Sequence, residues 1–193
     1  MTRRRIVAAA RRVFEDHGYG QASIGDITKA ARVNRATFYL HFANKAAVFT
    51  DVYAEMREQQ TSRYWAMLDE GLVAGTPEAL RAVLDGALSW WEENAALLPA
   101  VHEAMASDLE VAARWKDQLD LLAGELRGYL GQFPEGERAA RRLRVQLMVM
   151  QLDQLCFRTI VQKVFVLDRA DLLDLVCDLW LDALQLGRDG DAS

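Results

Sequence analysis

The chain has 193 residues, 51% hydrophobic and 26% charged, with three prolines, an ordinary soluble globular composition long enough for one large domain or two small ones. Its net charge of −5 is unevenly divided: residues 1–50 carry nine Lys and Arg against three Asp and Glu, or +6, and the remainder 14 against 25, or −11. A basic N-terminal segment on an acidic body points to an anionic partner for the N-terminus alone. No uncharged apolar stretch approaches the ~20 residues of a membrane span, and Met1 leads straight into an amphipathic helix rather than a secretion signal, so a cytoplasmic protein is expected. Cys156 and Cys177 sit in apolar helical runs without metal-ligand spacing, as buried free thiols do in a reducing compartment.

Residues 3–17 predict a first helix. Ile6, Ala10, Val13, Phe14 and His17 recur at three- and four-residue spacing, and Gly18 stops it. Arg3, Arg4 and Arg5 suit either a phosphate backbone or a solvated helix end, while His17 beside the stop suits the carbonyl end of the helix. Ser23, followed three residues later by Asp26, signals a capping box and a short helix burying Ile24, Ile27 and Ala31. Asn34 prefers to cap a new helix, which is expected over Arg35 to Phe42. Phe38 and Phe42 share its inward face; Ala36, Thr37 and Leu40 lie opposite, flanked by Arg35 and Tyr39 on one side and His41 on the other. Two short helices joined by a three-residue turn make a helix-turn-helix, whose second helix can enter a DNA major groove.

The run Thr37-Phe-Tyr-Leu-His-Phe-Ala-Asn-Lys45 resembles the T-F-Y-x-H-F-x-x-K signature of the tetracycline-repressor (TetR) family, and the likeness is tight over residues 3–50. Many members of that family have Gly where Arg32 stands and Ser where Asn34 stands; a left-handed backbone at Arg32 is strained without Gly or Asn. Each outward residue has a use on DNA. Arg35 can fork onto guanine, Thr37 can meet a base edge, and Leu40 can meet a thymine methyl. Tyr39, His41 and Lys45 suit phosphates, as the resemblance also implies; Ser23 and Thr28 are further phosphate candidates, with Ser23 open to capping instead, and Asn34 joins them among the expected DNA-contacting residues.

Lys45 begins a predicted long helix to about Leu68, linking head to body. The stretch Gly71 to Pro77 breaks the pattern, and Thr76-Pro77-Glu78 restarts a helix through Leu80, Leu84, Ala87, Leu88 and Trp91 to about Asn94. A shorter helix holding Pro99 follows, then a capping box at Ser107 to Glu110 opening a helix through Trp115, Leu119, Leu122, Leu126 and Tyr129. Gly131 to Gly136 breaks it. The last two helices are expected at about Glu137 to Phe165 and Asp168 to Leu186. From Val145 to Leu167 apolar residues point in every direction, which calls for burial on two sides, one of them a second copy of the chain. Residues 187–193 have nothing to bury and are expected to be disordered.

The three histidines are scattered, no Cys/His/Asp cluster has ligand spacing, and no catalytic constellation appears, so neither a metal, a cofactor nor an enzyme is expected. Each body tryptophan taken singly reads as core. Together with Met105 and Met150 they suggest a cavity lined by Ala87, Trp91, Met105, Trp115, Leu119, Met150, Phe157 and Trp180. Asp153 is available to orient a ligand or to pair with Arg158. The body around Trp90-Trp91, Asp108 to Trp115 and Trp180 resembles EthR-like repressors, whose likeness implies an elongated lipophilic effector. The expectation is an all-α protein: a helix-turn-helix DNA-binding head at 1–46, a ligand-binding and dimerisation bundle at 47–186, and a tail at 187–193. It should be a homodimeric, ligand-responsive repressor on a double-stranded palindromic operator. The alternative is a helical small-molecule-binding protein or enzyme whose head does not act on DNA.

Overall fold

A computed structural model of the chain describes residues 1–58 and 61–186, and among these every regular element is helical. In order they are α1 (Thr2–Gln21), α2 (Ile24–Ala31), α3 (Arg35–Tyr39), α4 (Lys45–Glu58), α5 (Thr61–Ala74) and α6 (Pro77–Glu93). There follow α7 (Leu98–Ser107), α8 (Leu109–Ala123), α9 (Arg127–Gly131), α10 (Glu135–Cys156), a wide π turn (Phe157–Val161) and α11 (Arg169–Leu184). The chain forms two compact units: residues 1–60 with 94–116, and residues 61–93 with 117–193.

In the first unit α1 crosses α2, α4 and α7. Ile6, Ala9, Ala10 and Phe14 are at most 1% exposed, the apolar stripe its periodicity promised. Gly18 marks a kink rather than an end. Its φ of 74° and ψ of 175° lie in a region that only glycine occupies freely, and the helix resumes to Gln21. Past the kink Tyr19 turns inward, 4.9 Å from the Phe49 ring and 5.9 Å from that of Phe14. α2 starts on the expected capping box, with the Asp26 N–H donating to Ser23 Oγ and the Ser23 N–H to Asp26 Oδ2. Its C-cap is Arg32 at φ 51°, ψ 48°, the left-handed conformation that costs a non-glycine residue ~1–2 kcal/mol. α3 is shorter than the expected Arg35 to Phe42. After Tyr39 the ladder tightens, the His41 N–H reaching back only to the Phe38 carbonyl (2.9 Å), while Phe42 still packs inside.

In the second unit α5 packs on α6 and α9, α6 on α11, and α10 on α9 and α11. Several expected boundaries move. Whether one helix runs from Lys45 to Leu68 turns on Gln59 and Gln60, which lie outside the described residues. α5 continues through Gly71 to Ala74, because a Cβ on Gly71 would meet Val83 Cγ2 at 2.8 Å: the glycine lets two helices approach, and the break falls at Gly75, φ 63°. The helix expected to run on to Tyr129 ends at Ala123, and α9 starts afresh. Asp69 of α5 explains the restart, since its two carboxylate oxygens accept the N–H groups of Gly128 (2.9 Å) and Tyr129 (2.8 Å). At the start of α8 the cap is Asp108, not Ser107, whose hydroxyl donates to the Glu103 carbonyl instead (2.7 Å). The long apolar run stays α-helical only to Cys156. After the π turn Lys163 adopts φ 53°, and Val164 to Leu167 leave the helix with exposed side chains. The tail at 187–193 lies outside the described residues.

Replacing Asp69 with Ala strands two N–H groups at the start of α9, one belonging to the fully buried Tyr129. Urea denaturation should show a loss of ~1–3 kcal/mol, with Asp69→Asn recovering part of it. An unchanged midpoint for Asp69→Ala would mean that α9 is held by packing alone.

Candidate nucleic-acid interface

The recognition element is set from both sides. Phe38 is 0% and Phe42 3% exposed, while Tyr39 is 55% and Leu40 82% exposed. Burying two rings on one side of so short a helix leaves it a single orientation. Arg35, Ala36, Tyr39, Leu40 and His41 are therefore on the surface, with Thr37 half-buried beside them. Asn34 Oδ1 accepts the Thr37 N–H at 2.7 Å, so Asn34 holds the helix start. The Arg35 guanidinium extends back toward α2, where a Cβ on Gly25 would lie 3.6 Å from its Nη2.

Three expected phosphate contacts have other tasks. The Ser23 hydroxyl donates to Asp26 Oδ2 (2.5 Å), and this bond holds the Asp26 carboxyl below the ordinary range. Thr28 is 6% exposed and its hydroxyl donates to the Gly25 carbonyl (3.0 Å), so its one proton is used inside the head. Lys45 sits at the end of α1: its ammonium donates to the carbonyls of Tyr19 (2.6 Å), Ala22 (3.1 Å) and Gly20 (3.5 Å) and lies 4.3 Å from the Tyr19 ring centre. An ammonium has three N–H groups, and all three are taken. The arginines at the start of α1 also divide. Arg5 donates to the carbonyls of Ala31 (3.0 Å) and Arg32 (3.3 Å), closing the end of α2, and Arg3 pairs with Asp51 over the Phe42 ring.

Two links were not visible in the spacing of residues. The Tyr19 hydroxyl donates to Asp108 Oδ2 at 2.7 Å, across 89 positions. That bond holds the Asp108 carboxyl below its usual range, and burial followed by the same carboxylate pushes the Tyr19 phenol up. Glu103 of α7 lies against the kink of α1, where a Cβ on Gly18 would come 2.8 Å from Oε2. No local pattern marks either pairing; only the unusual glycines at 18 and 20 hint that something approaches closely.

The expected ligand-lining residues fall in both units. Met105 and Trp115 are in the first, and both are half-buried. In the second, Ala87 (6%), Trp91 (5%) and Trp180 (0%) are buried, and Leu119, Asp153 and Phe157 are half-buried. The indole N–H of Trp180 has no hydrogen-bond acceptor among the described residues. Met150 differs: at 43% exposure it lies outward on α10 with Leu143 (55%) and Leu147 (51%), at i, i+4 and i+7. Burial pushes the Asp153 carboxyl up to about 6, partly opposed by the hydrogen bond from Gln154. The Arg158 guanidinium donates to Gln162 Oε1 (2.6 Å). Among the described residues no group of three or more His, Cys, Asp or Glu could hold a metal, and no helix is long and apolar enough to cross a membrane.

Lys45→Met should lower stability by ~1–3 kcal/mol by leaving carbonyls at the end of α1 without donors. It should leave the salt dependence of DNA binding unaltered. A drop of about one unit in that slope would instead give Lys45 a phosphate. For Asp153, a folded-state pKa above the unfolded value means that the native protein binds the extra proton. Stability should then fall as pH rises from about 4 to about 6, and stay low above that. Asp153→Asn should abolish this slope and raise stability near neutral pH by ~1–3 kcal/mol, read from urea midpoints across pH.

Comparison with known proteins agrees with this geometry. Residues 6–52 match the model of a family described as bacterial regulatory proteins, tetR family. The A-factor receptor protein of Streptomyces griseus is 37% identical over 75 residues, 36% of this chain, which thereby spans only 27% of that protein. The regulator EthR of Mycolicibacterium smegmatis is 26% identical over 110 residues, 57% of this chain and 50% of that protein. Over nearly the whole chain, a TetR-family regulator structure from Mesorhizobium loti superposes with a TM-score of 0.67 at 16% identity, covering 95% of this chain and 94% of that one. With the signature on α3 and α4, residues 6–52 carry the DNA-binding segment of the tetR family of bacterial regulatory proteins, and the all-helical architecture behind it has the same fold as that regulator structure.

Proposed function

We propose that the chain is a cytoplasmic transcriptional repressor that binds a palindromic operator as a homodimer and is released by a small, mostly apolar effector. The observation that carries this reading is the outward face of α3. Tyr39 and Leu40 are more than half exposed, Arg35 and His41 are on the surface, and the helix is locked by two buried phenylalanines inside a segment of charge +6. Large side chains held in water on a rigid, basic element are what base readout requires. Within this reading Arg35, Thr37 and Leu40 face bases, and Tyr39 and His41 face phosphates.

Exposed leucines support the assembly. Leu143, Leu147 and Met150 form one stripe on α10, and Leu175 (57%) and Leu179 (51%) form another on α11. Stripes of that kind serve as a four-helix interface between two copies, which would set two recognition helices ~34–36 Å apart on successive major grooves. For the effector, the second unit offers Ala87 and Trp91 one turn apart on α6, with Trp180 on α11, a helix packed against α6. The unpaired Trp180 N–H favours an apolar molecule carrying one hydrogen-bond acceptor. A coupling of ~1–3 kcal/mol between effector and operator changes operator affinity some 5- to 150-fold, and reciprocity makes the operator weaken the effector equally.

Gel retardation with DNA flanking the protein's own gene tests the reading. Arg35→Ala should weaken that complex by ~1–3 kcal/mol while changing random duplex binding less; equal losses on both would reduce Arg35 to a phosphate contact. Leu147→Glu should dissociate the dimer and weaken operator binding together. A wild-type chain that sediments as a monomer at micromolar concentration would sink the palindrome. Ala87→Trp should remove the response to effector and keep operator binding, and a variant that still releases DNA would move the pocket elsewhere.

A further inference from the structure

We propose that Arg32, in the turn between α2 and α3, holds a DNA phosphate, and that this contact is why the turn keeps a strained residue. The proposal rests on the DNA-binding reading above and adds a contact outside the recognition helix and the signature.

Arg32 has φ 51° and ψ 48°. Glycine occupies that region freely and arginine does not, so the fold alone would be better served by glycine. The conformation is imposed by what surrounds it. The Arg32 N–H donates to the Lys29 carbonyl (3.2 Å), the Val33 N–H donates to that of Thr28 (3.0 Å), and Arg5 Nη2 donates to the carbonyls of Ala31 and Arg32. Backbone strain that persists under such constraint marks a side chain wanted for another purpose.

Arg32 is exposed, and its guanidinium has no hydrogen-bond or ion-pair partner among the described residues. Its neighbours Lys29 and Arg35 are exposed too, and likewise make no ion pair among the described residues. The only carboxylate between residues 23 and 45 is Asp26, which is held by both the hydroxyl and the N–H of Ser23. Three cations within seven residues therefore line the edge of the helix-turn-helix, with Asp26, which Lys29 also feels, as the one carboxylate in residues 23–45 to offset them. Mutual repulsion disfavours that arrangement until an anion arrives, and a guanidinium fork matches two oxygens of a phosphate diester.

The experiment separates binding from folding, because the informative variant should not harm the fold. Arg32→Gly removes the strain and the charge, Arg32→Asn tolerates the left-handed backbone without the charge, and Arg32→Lys keeps both. Thermal melts should show Arg32→Gly equal to the wild type or higher by about 2–4 °C. On short duplexes enriched from a random pool by the wild-type chain, Arg32→Gly and Arg32→Asn should bind about 3- to 10-fold more weakly at ~0.1 M salt. Both should lower the slope of log affinity against log salt by about 0.9, and by as much on random duplex DNA. Arg32→Lys should restore the slope. If Arg32→Gly and Arg32→Asn keep the wild-type slope and affinity, the inference is overturned and DNA binding stands. If the wild type enriches no duplex at all, the DNA-binding reading falls, and the inference with it.

Discussion

One ammonium group organises the head. The kink at Gly18 leaves the last carbonyls of α1 pointing away from the helix, and buried carbonyls without donors are costly. Lys45, at the first position of α4, meets those of Tyr19, Gly20 and Ala22. This single side chain thereby fixes where α4 begins relative to where α1 ends, and α2 and α3 are strung between those two points. The same arrangement holds the Tyr19 ring beneath the cation and against Phe49, so the tyrosine hydroxyl emerges toward Asp108. Take away the ammonium and the kinked turn, the ring and the α8 cap lose a common support.

Much of this was legible in the sequence, for physical reasons that differ by residue. The capping box at Ser23 and Asp26, the cap at Asn34 and the inward pair Phe38 and Phe42 are local: each depends on residues three or four apart, and chain periodicity reports such contacts directly. The Pro77 helix start was legible on the same grounds, with Thr76 Oγ1 accepting the Ala79 N–H. What escaped depends on distant partners. Asp69 restarts a helix 59 residues away, Gly71 is needed only because Val83 crosses it, and Lys45 looks like a surface cation until the end of α1 is placed beneath it. Cap choice was a nearer miss: Ser107 and Asp108 both qualify by type, and Asp108 takes the role while its carboxylate also receives Tyr19.

Charge divides the molecule in a way that sequence totals only half convey. Of the nine basic residues in the first fifty, several are consumed internally: Arg3 by Asp51, Arg5 by the end of α2, Arg11 by Glu15, and Lys45 by α1. Of the five left for a partner, Lys29, Arg32 and Arg35 lie on the helix-turn-helix edge, and Arg4 and Arg12 are exposed on α1. In the acidic remainder cations serve as internal fasteners. Arg169 joins Asp85 and Glu92 on α6, and Arg81 joins Asp174 on α11, so ion pairs stitch α6 to α11 from both directions. These pairs are exposed enough that screening leaves them modest in energy, and their use is to set the register of two helices already packed by leucines.

The head also does not end where its sequence signature ends. Residues 94–116 fold with it: α7 packs on α1 with Leu98, Ala100, Val101 and Ala104 buried, and two polar contacts are added to that packing, the Glu103 carboxylate against the glycines at the kink and the Asp108 carboxylate against the Tyr19 hydroxyl. Apolar packing tolerates sliding, since many weak contacts exchange for similar ones. A short hydrogen bond between a phenol and a carboxylate does not, because its strength falls steeply with distance and angle. The start of α8 is capped by that same Asp108, so a shift of the helix start and a shift of Tyr19 cannot occur independently. A displacement of α8 must either carry the end of α1 along, and with it the Lys45 clamp and α4, or break a bond with a buried ring behind it. The end of α1 and the start of α8 are thus joined by a directional bond that resists gradual sliding.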